Sequence, residues 1–445
     1  MSKHTLRKTF FPFPTLINLV KQPLYRNAYA LMFNTIGTAG LGMIYWILAA
    51  RYYPPEVVGW NAAIISAMIF LSNIAQLNLM SVMIRFIPKA GKATNLLVRN
   101  GYLISLIFSA AVGSLVVYFG FRSAFFGINI KPGFRLWFIL ATMASCIFLL
   151  QDSVLNGLQQ SVWVPVENIS YGVAKVVLLV LLASAMPFYG IFTSWTAPML
   201  FTLLPVNLLI FSRLIPGHIR KTKDQAQPII RRQIFKYMGA NYLGMLFVQA
   251  VVRLLPLLVT YRVDPKATAY FYVPWTIVLA VRLISTNMAT SLTVEGAKDQ
   301  SDFAAQGYRF LIHMAKLYLP MVAILVLGAP GLLRLSGERY ATEGSMLLRL
   351  LALSTLPSVV SNFYISVARV KQQNARIVFL QGTYCFFVLG LSYLLLPIYH
   401  LTGVGIAVLI SEVLVALIVF PFILRLRAQD ERPVEMRISR LREEP

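Results

Sequence analysis

The chain has 445 residues, of which 58% are hydrophobic and 13% charged, and its mean hydropathy is +0.69. Soluble proteins carry a charged share of about 25%, so a soluble enzyme, a disordered chain and a collagen-like fibre are excluded, and apolar side chains facing lipid account for the surplus. Forty Lys+Arg against sixteen Asp+Glu leave a net charge of +24, which in a membrane protein points to basic loops and anionic-lipid contact rather than to nucleic acid.

In chain order, residues 1–27 form a cytoplasmic or interfacial segment. Their apolar run, Phe10–Val20, is broken by Pro12 and Pro14 and lacks a small-residue cleavage site, unlike a secretory signal. Twelve stretches then have the roughly 20 apolar residues that a spanning helix needs: Ala28–Ala50, Val57–Met80, Tyr102–Gly120, Phe134–Asn156, Ile169–Ala185, Ser194–Leu214, Tyr237–Val259, Phe271–Thr293, Leu317–Leu333, Met346–Ala368, Ile377–Leu396 and Gly403–Leu424. Lys175 interrupts the fifth and Pro330 is expected to end the ninth early. With both termini in the cytoplasm, and with Arg135 and Arg213 at the ends of their spans counted with the adjoining segments, 28 Lys+Arg fall in inner segments and 8 in outer loops, the other four lying within spans. That bias predicts a multi-pass protein of the plasma (inner) membrane, N-in and C-in.

The outer loops are short and hold few acids (Glu56, Asp264, Glu338, Glu343), so a membrane glycosyltransferase or polymerase lacks the outer catalytic acids it would need. No HExxH, CxxC or GxxxxGK[ST] occurs, which leaves zinc hydrolysis and P-loop chemistry without ligands; no metal and no cofactor is expected. Cys146 and Cys385 lie in apolar stretches and are expected in the core.

The halves echo each other at an offset of about 210 residues. Lys21-Gln22 matches Arg232-Gln233, and Pro55 in YYPPEVVGW matches Pro265 in RVDPKATAY, each loop running into an aromatic, Trp60 or Tyr270. LNGLQQSVW after the fourth span matches VARVKQQNA after the tenth. Six spans per half give both halves the same orientation, related by a pseudo-two-fold axis along the membrane normal. The expected fold is therefore an all-α polytopic membrane protein with two six-helix lobes, residues 28–214 and 237–424, around a V-shaped central cavity. A basic cytoplasmic linker, 215–236, joins them, and 425–445 form a cytoplasmic tail.

ARYYPPEVVGWNAA (Ala50–Ala63) resembles the first outer loop of polysaccharide-transport flippases, and GERYATEGSMLLRLLAL (Gly337–Leu353) resembles the stretch that enters their tenth helix. These belong to the O-antigen/exopolysaccharide branch of the multidrug/oligosaccharidyl-lipid/polysaccharide exporter superfamily. The resemblance spans roughly residues 20–425. It implies translocation of a polyisoprenyl-pyrophosphate-linked oligosaccharide from the cytoplasmic to the outer leaflet, with a polymerase and glycosyltransferases of the same pathway as partners. The alternatives are a cation-coupled multidrug exporter of the same fold, a lipid II flippase and an integral-membrane glycosyltransferase or polymerase.

Charge inside a span costs about 2.5–3.5 kcal/mol at a helix centre, so such residues face a bundle interior or a wet cavity. Arg282 stands eleven residues from either end of its span and has two readings: a pyrophosphate contact, or an ion pair with Glu412. Trp275, on the same face, is placed to stack on a sugar. Arg253, with Gln249 one turn earlier, is a second phosphate contact or a snorkelling residue; a guanidinium bonds two phosphate oxygens at once. Lys175 snorkels or binds substrate, and Arg349 is expected to anchor at outer headgroups. In the first lobe, Asn34, Asn73 and Gln76 either bond sugar hydroxyls or hold helices together. Arg85 stands at the expected cytoplasmic mouth. Glu412 and Asp152 are the candidate sites for H+ or Na+ coupling.

Overall fold

A computed structural model describes residues 23–119, 131–223, 231–296 and 303–430. Most of the expected N-terminal segment and C-terminal tail, and the middle of the linker, lie outside the described residues. Helices follow one another as α1 (Pro23–Tyr52), α2 (Pro55–Ala75), α3 (Leu79–Ala90), α4 (Thr94–Phe119), α5 (Pro132–Gly157), α6 (Trp163–Ala185), α7 (Gly190–Leu209), α8 (Ile215–Lys221), α9 (Arg231–Arg262), α10 (Pro265–Gly296), α11 (Phe303–Arg334), α12 (Glu338–Val370) and α13 (Asn374–Asp430). Among the described residues, eleven helical segments are long and apolar enough to cross a membrane. The last of them is two passes, because His400 breaks α13 with a positive φ of 49°. Twelve crossings result, six in each lobe, as the hydropathy predicts.

Several boundaries differ from the sequence expectation. The second span stops at Ala75, not Met80: Leu77 and Asn78 take positive φ, and the chain restarts as α3. LMSVMIRFIPKA is strongly amphipathic and packs on α5 through Val82, Met83 and Ile87. Pro330 does not end the ninth span, which runs on as α11 to Arg334. A proline removes the donor for the carbonyl four residues back; here that carbonyl belongs to Val326, and Arg349 Nε of α12 donates to it at 3.1 Å. In hydrocarbon a bare carbonyl costs several kcal/mol, so Arg349, expected as a headgroup anchor, also serves as a helix-to-helix bond through its Nε. The start of the basic linker is helical, continuing α7 through a π turn, Ile210–Leu214, into α8.

The repeat is visible in matched turns. α5 ends with Gln159 at φ 59° and Gln160 N donating to Leu155 O; α12 ends with Gln372 at φ 54° and Gln373 N donating to Ala368 O. α2 and α10 both begin on the matched prolines, Pro55 and Pro265. The matched aromatics are both buried against other rings, Trp60 on Phe134 and Phe188, and Tyr270 on Tyr340.

The lobes meet unequally along their length. At the end that carries the short α1–α2 and α9–α10 turns, the hairpin end, one continuous core takes in Trp46 and Trp60 of the first lobe with Leu255, Tyr272 and Leu347 of the second. There α2 crosses α10 so closely that a Cβ on Gly59 would lie 1.6 Å from Pro265 O. Arg51 bridges the same end, donating to Leu335 O at 2.7 Å and Arg334 O at 3.1 Å. At the opposite, linker end the cores are separate: Met83, Leu150 and Val154 in one lobe, Val281, Met314 and Tyr318 in the other. α9 still touches the first lobe there: Ile234 and Met238 pack on its core, Asn78 Nδ2 in the turn after α2 donates to Met238 O at 3.0 Å, and Tyr242 OH donates to Ile74 O at 2.6 Å.

Candidate functional site

Between the lobes, on the linker-end side of the shared core, lies a cavity of about 700 Å³. α1, α6 and α7 form one wall and α9, α10, α12 and α13 the other. Its charged lining residues are Lys175 of the first lobe and Arg253, Arg282 and Glu412 of the second, three cations against one acid.

Arg282 is held in its own lobe. Nη1 donates to Glu412 Oε1 at 2.6 Å and to Tyr384 OH at 3.1 Å, and Nη2 donates to Ser354 Oγ at 3.1 Å. The two side chains are 17% and 5% exposed. Of the two readings given above, the ion pair with Glu412 is the one that forms, though both residues still line the cavity. The adjacent backbone is opened by Tyr318 of α11, whose hydroxyl donates to Val281 O and accepts from Ser285 N, both at 2.8 Å. That hydroxyl occupies both ends of the Val281–Ser285 helical step, one recognised cause of helix bending.

Lys175 is buried, and its Nζ sits over three rings of its own lobe: Trp195 at 4.0 Å, Tyr45 at 5.1 Å and Tyr171 at 5.2 Å from the centroids. Cation–π attraction of this kind is worth about 2 kcal/mol when desolvated. Tyr45 and Tyr171 are fixed in turn by bonds to Ile191 O and Trp195 O. Lys175 makes no ion pair among the described residues, and its position over rings in mid-lobe replaces the expected snorkelling. Across the cavity, Arg253 has its Nε without a partner, and the Oε1 of Gln249, one turn away, is equally unpartnered. Hydroxyls and amides fill much of the second-lobe wall: Thr276, Thr286, Ser358, Ser361, Asn362 and Gln381.

Other expected site residues are placed elsewhere. Trp275 touches the cavity but is 1% exposed, stacked on Phe271, with Nε1 donating to Val252 O at 3.3 Å. Val252 O is the carbonyl orphaned by Pro256, so Trp275 completes a helix and offers no face to a sugar. Asn73 and Gln76 are buried and bonded along α2, Asn73 Nδ2 to Ile69 O and Gln76 Nε2 to Asn73 Oδ1. They stabilise the helix end and do not line the cavity, and neither does Asn34, where Thr38 one turn on takes that place. Arg85 lies on the exposed side of α3, away from the lining. Asp152 is inside the first lobe, accepting from Asn168. Hydropathy could not flag Trp46, Trp195 and Tyr384, whose rings and hydroxyl shape the site, because aromatic residues in spans look alike until helices are packed.

The architecture is that of a two-lobed membrane protein with a MATE-like fold. No family model matches the chain, and no curated protein sequence matches it. An inward-facing multidrug-resistance MATE transporter of the MOP superfamily superposes with a TM-score of 0.67 at 15% identity, covering 92% of this chain and all of that one. An outward-facing multidrug-resistance MATE transporter gives 0.59 at 14% identity, covering 94% of this chain and 99% of that one. A MOP-superfamily transporter from Pyrococcus furiosus, described as having a binding pocket of reverse polarity that suggests a different function, gives 0.60 at 14% identity, covering 93% and 98%.

Proposed function

We propose that the chain is a flippase that carries a polyisoprenyl-pyrophosphate-linked oligosaccharide, an O-antigen or exopolysaccharide repeat unit, from the cytoplasmic to the outer leaflet by alternating access. The observation that carries this reading is the charge of the cavity: Lys175 on one lobe and Arg253 on the other, neither ion-paired among the described residues, with the acid Glu412 already matched by Arg282. An anionic pyrophosphate is the complementary charge, and it would be gripped between lobes. The hydroxyl and amide wall of the second lobe supplies the donors and acceptors that sugar hydroxyls need. The excess of basic residues in the linker-end segments supports a cytoplasmic linker end in the inner membrane, so the separation of the cores there is an inward-facing state. A polymerase and glycosyltransferases of the same pathway would supply and consume the cargo.

A second reading, a cation-coupled multidrug exporter, is favoured by the description of the MATE neighbours as multidrug transporters. The cavity's excess of cations opposes it for cationic drugs, and the Pyrococcus neighbour supports a change of pocket polarity on this fold. The deciding experiment is transport in proteoliposomes with two cargoes, a polyprenyl-pyrophosphate glycan and a fluorescent organic cation. The proposal expects glycan flipping, lost in Lys175→Met/Arg253→Met and retained in Lys175→Arg. Cation transport with no glycan flipping would establish the second reading instead.

A further inference from the structure

The linker end of the first lobe carries a group of cations that the cavity does not use. There α3, the 3-10 turn Gly91–Ala93, the start of α4, the π turn and α8 pack on one small core, in which Val82, Met83 and Ile87 meet Val98, Ile210 and Ile215. His218 Nε2 ties α8 to α3 by donating to Ile87 O at 3.0 Å. Lys89, Lys92, Arg99, Arg213, Arg220 and Lys221 stand outside that core, all exposed and none ion-paired among the described residues. The acids of the same lobe do not balance them: Glu56 is at the hairpin end, Glu167 is buried and Asp152 accepts from Asn168.

A general bias towards basic loops would treat the two lobes alike, yet they differ. Residues 81–101 hold Arg85, Lys89, Lys92 and Arg99 and no acid; residues 291–311, matched at the 210-residue offset, hold Lys298 and Arg309 against Glu295, Asp299 and Asp302. The surroundings of the first-lobe cations are apolar. Arg99 shares the exposed stripe of α4 with Leu96, Leu103 and Ile107, and Leu204, Leu208 and Phe211 run along α7 towards Arg213. The two helices meet where the rings of Tyr102 and Phe211 touch edge to face, with centroids 6.0 Å apart. Arg99 lies one turn before Tyr102 and Arg213 two residues after Phe211, so cations close the end of an apolar seam. A free phosphate or an acidic peptide would use the charges and leave the seam bare. An amphiphile with acyl chains and an anionic head matches both.

We propose that the α4–α7 seam and its cations form a binding site for one anionic phospholipid of the leaflet at the linker end. Its acyl chains lie against Leu103, Ile107, Leu204 and Leu208, and its phosphodiester sits between Arg99 and Arg213. A guanidinium bonds two phosphate oxygens at once, and Lys92, Arg220 and Lys221 add positive field around the head. The site stands whatever the cargo of the cavity is. A lipid held by both α4 and the α7–α8 segment fastens the start of the linker to the first lobe.

The test uses the full-length protein in lipid nanodiscs, with no glycan present. Asn100, exposed beside Arg99, is changed to cysteine and carries a fluorophore, the native Cys146 and Cys385 being buried. Quenching by phosphatidylglycerol with brominated chains is compared with quenching by phosphatidylcholine with the same chains. Each basic residue near an anionic surface strengthens binding roughly fivefold. The Asn100→Cys protein should therefore prefer phosphatidylglycerol by about fivefold or more, and Arg99→Gln/Arg213→Gln should bring the two lipids close to equal. Arg369→Gln/Arg376→Gln removes the same charge from exposed positions at the matched turn of the second lobe and should leave the preference unchanged. Added inorganic phosphate should displace no more lipid than chloride of equal ionic strength. Equal quenching by the two lipids before any charge is removed overturns the proposal. So does a preference that survives Arg99→Gln/Arg213→Gln, one that falls as far in the second-lobe pair, or one abolished by phosphate alone. A monodisperse elution profile controls for folding, and Arg220→Gln/Lys221→Gln, with a several-fold loss expected, replaces the first pair if that pair does not fold.

Discussion

Gly59 offers the sharpest test of how the lobes close. At the hairpin end a Cβ on this residue would lie 1.6 Å from Pro265 O, 2.7 Å from Pro265 C and 2.9 Å from Ala269 N. All three are backbone atoms of α10, so no side chain can rotate away. Ordinary carbon–oxygen contacts lie near 3.4 Å, so α2 and α10 must part by roughly 2 Å to accept an alanine. Overpacking of this kind costs about 1–3 kcal/mol. If the opposite conformation separates these helices, the whole cost falls on the state seen here. Gly59→Ala then shifts the population towards opening at the hairpin end by a factor of roughly 5 to 150. Spin labels on cysteines at exposed Tyr52 and Glu338 report the gap across that end, and the native Cys146 and Cys385 are buried and leave the signal clean. Gly40→Ala, where nothing lies within 4 Å of the added carbon, is the control. Identical distance distributions for Gly59→Ala and Gly40→Ala, with both proteins folded, would refute this account of closure.

Arg51→Ala removes the two bonds from α1 to Leu335 O and Arg334 O; because the side chain is exposed, the same label pair should show a smaller opening than Gly59→Ala, and an equal or larger one would contradict this ranking. Arg282→Ala strands Glu412 and should lower thermal stability by about 3–5 kcal/mol, the cost of breaking a buried pair, whereas Arg282→Met/Glu412→Leu should recover most of it. Thermal unfolding reads both, and a double variant no more stable than Arg282→Ala would contradict the pairing argument; transport by a stable double variant tells whether the pair also serves the cargo. Trp195→Ala removes the nearest ring from Lys175 and should weaken binding of a pyrophosphate lipid several-fold by freeing the ammonium to wander; titration with fluorescent analogue lipid checks this, and unchanged affinity would mean that the ring does not position the lysine.

Hydropathy and charge alone carried the large-scale organisation. Twelve apolar stretches, the 210-residue echo and the two prolines that begin α2 and α10 were all legible, because lipid imposes length and composition on each span separately. Site residues were legible only as a set of charged positions. Lys175, Arg253, Arg282 and Glu412 all reach the cavity, and the chain offered Glu412 as one of two readings for Arg282, but only packing chose the ion pair with that residue 130 positions away and set Lys175 on aromatic rings. Packing also decided the fate of the proline-broken helices. Pro256 and Pro330 each free a carbonyl, a fact read directly from sequence, but the donors are Trp275 and Arg349 on neighbouring helices. A span's own residues fix whether it can lie in hydrocarbon; which neighbour satisfies its leftover polar groups depends on rotation and crossing, and those exist only once the helices are assembled.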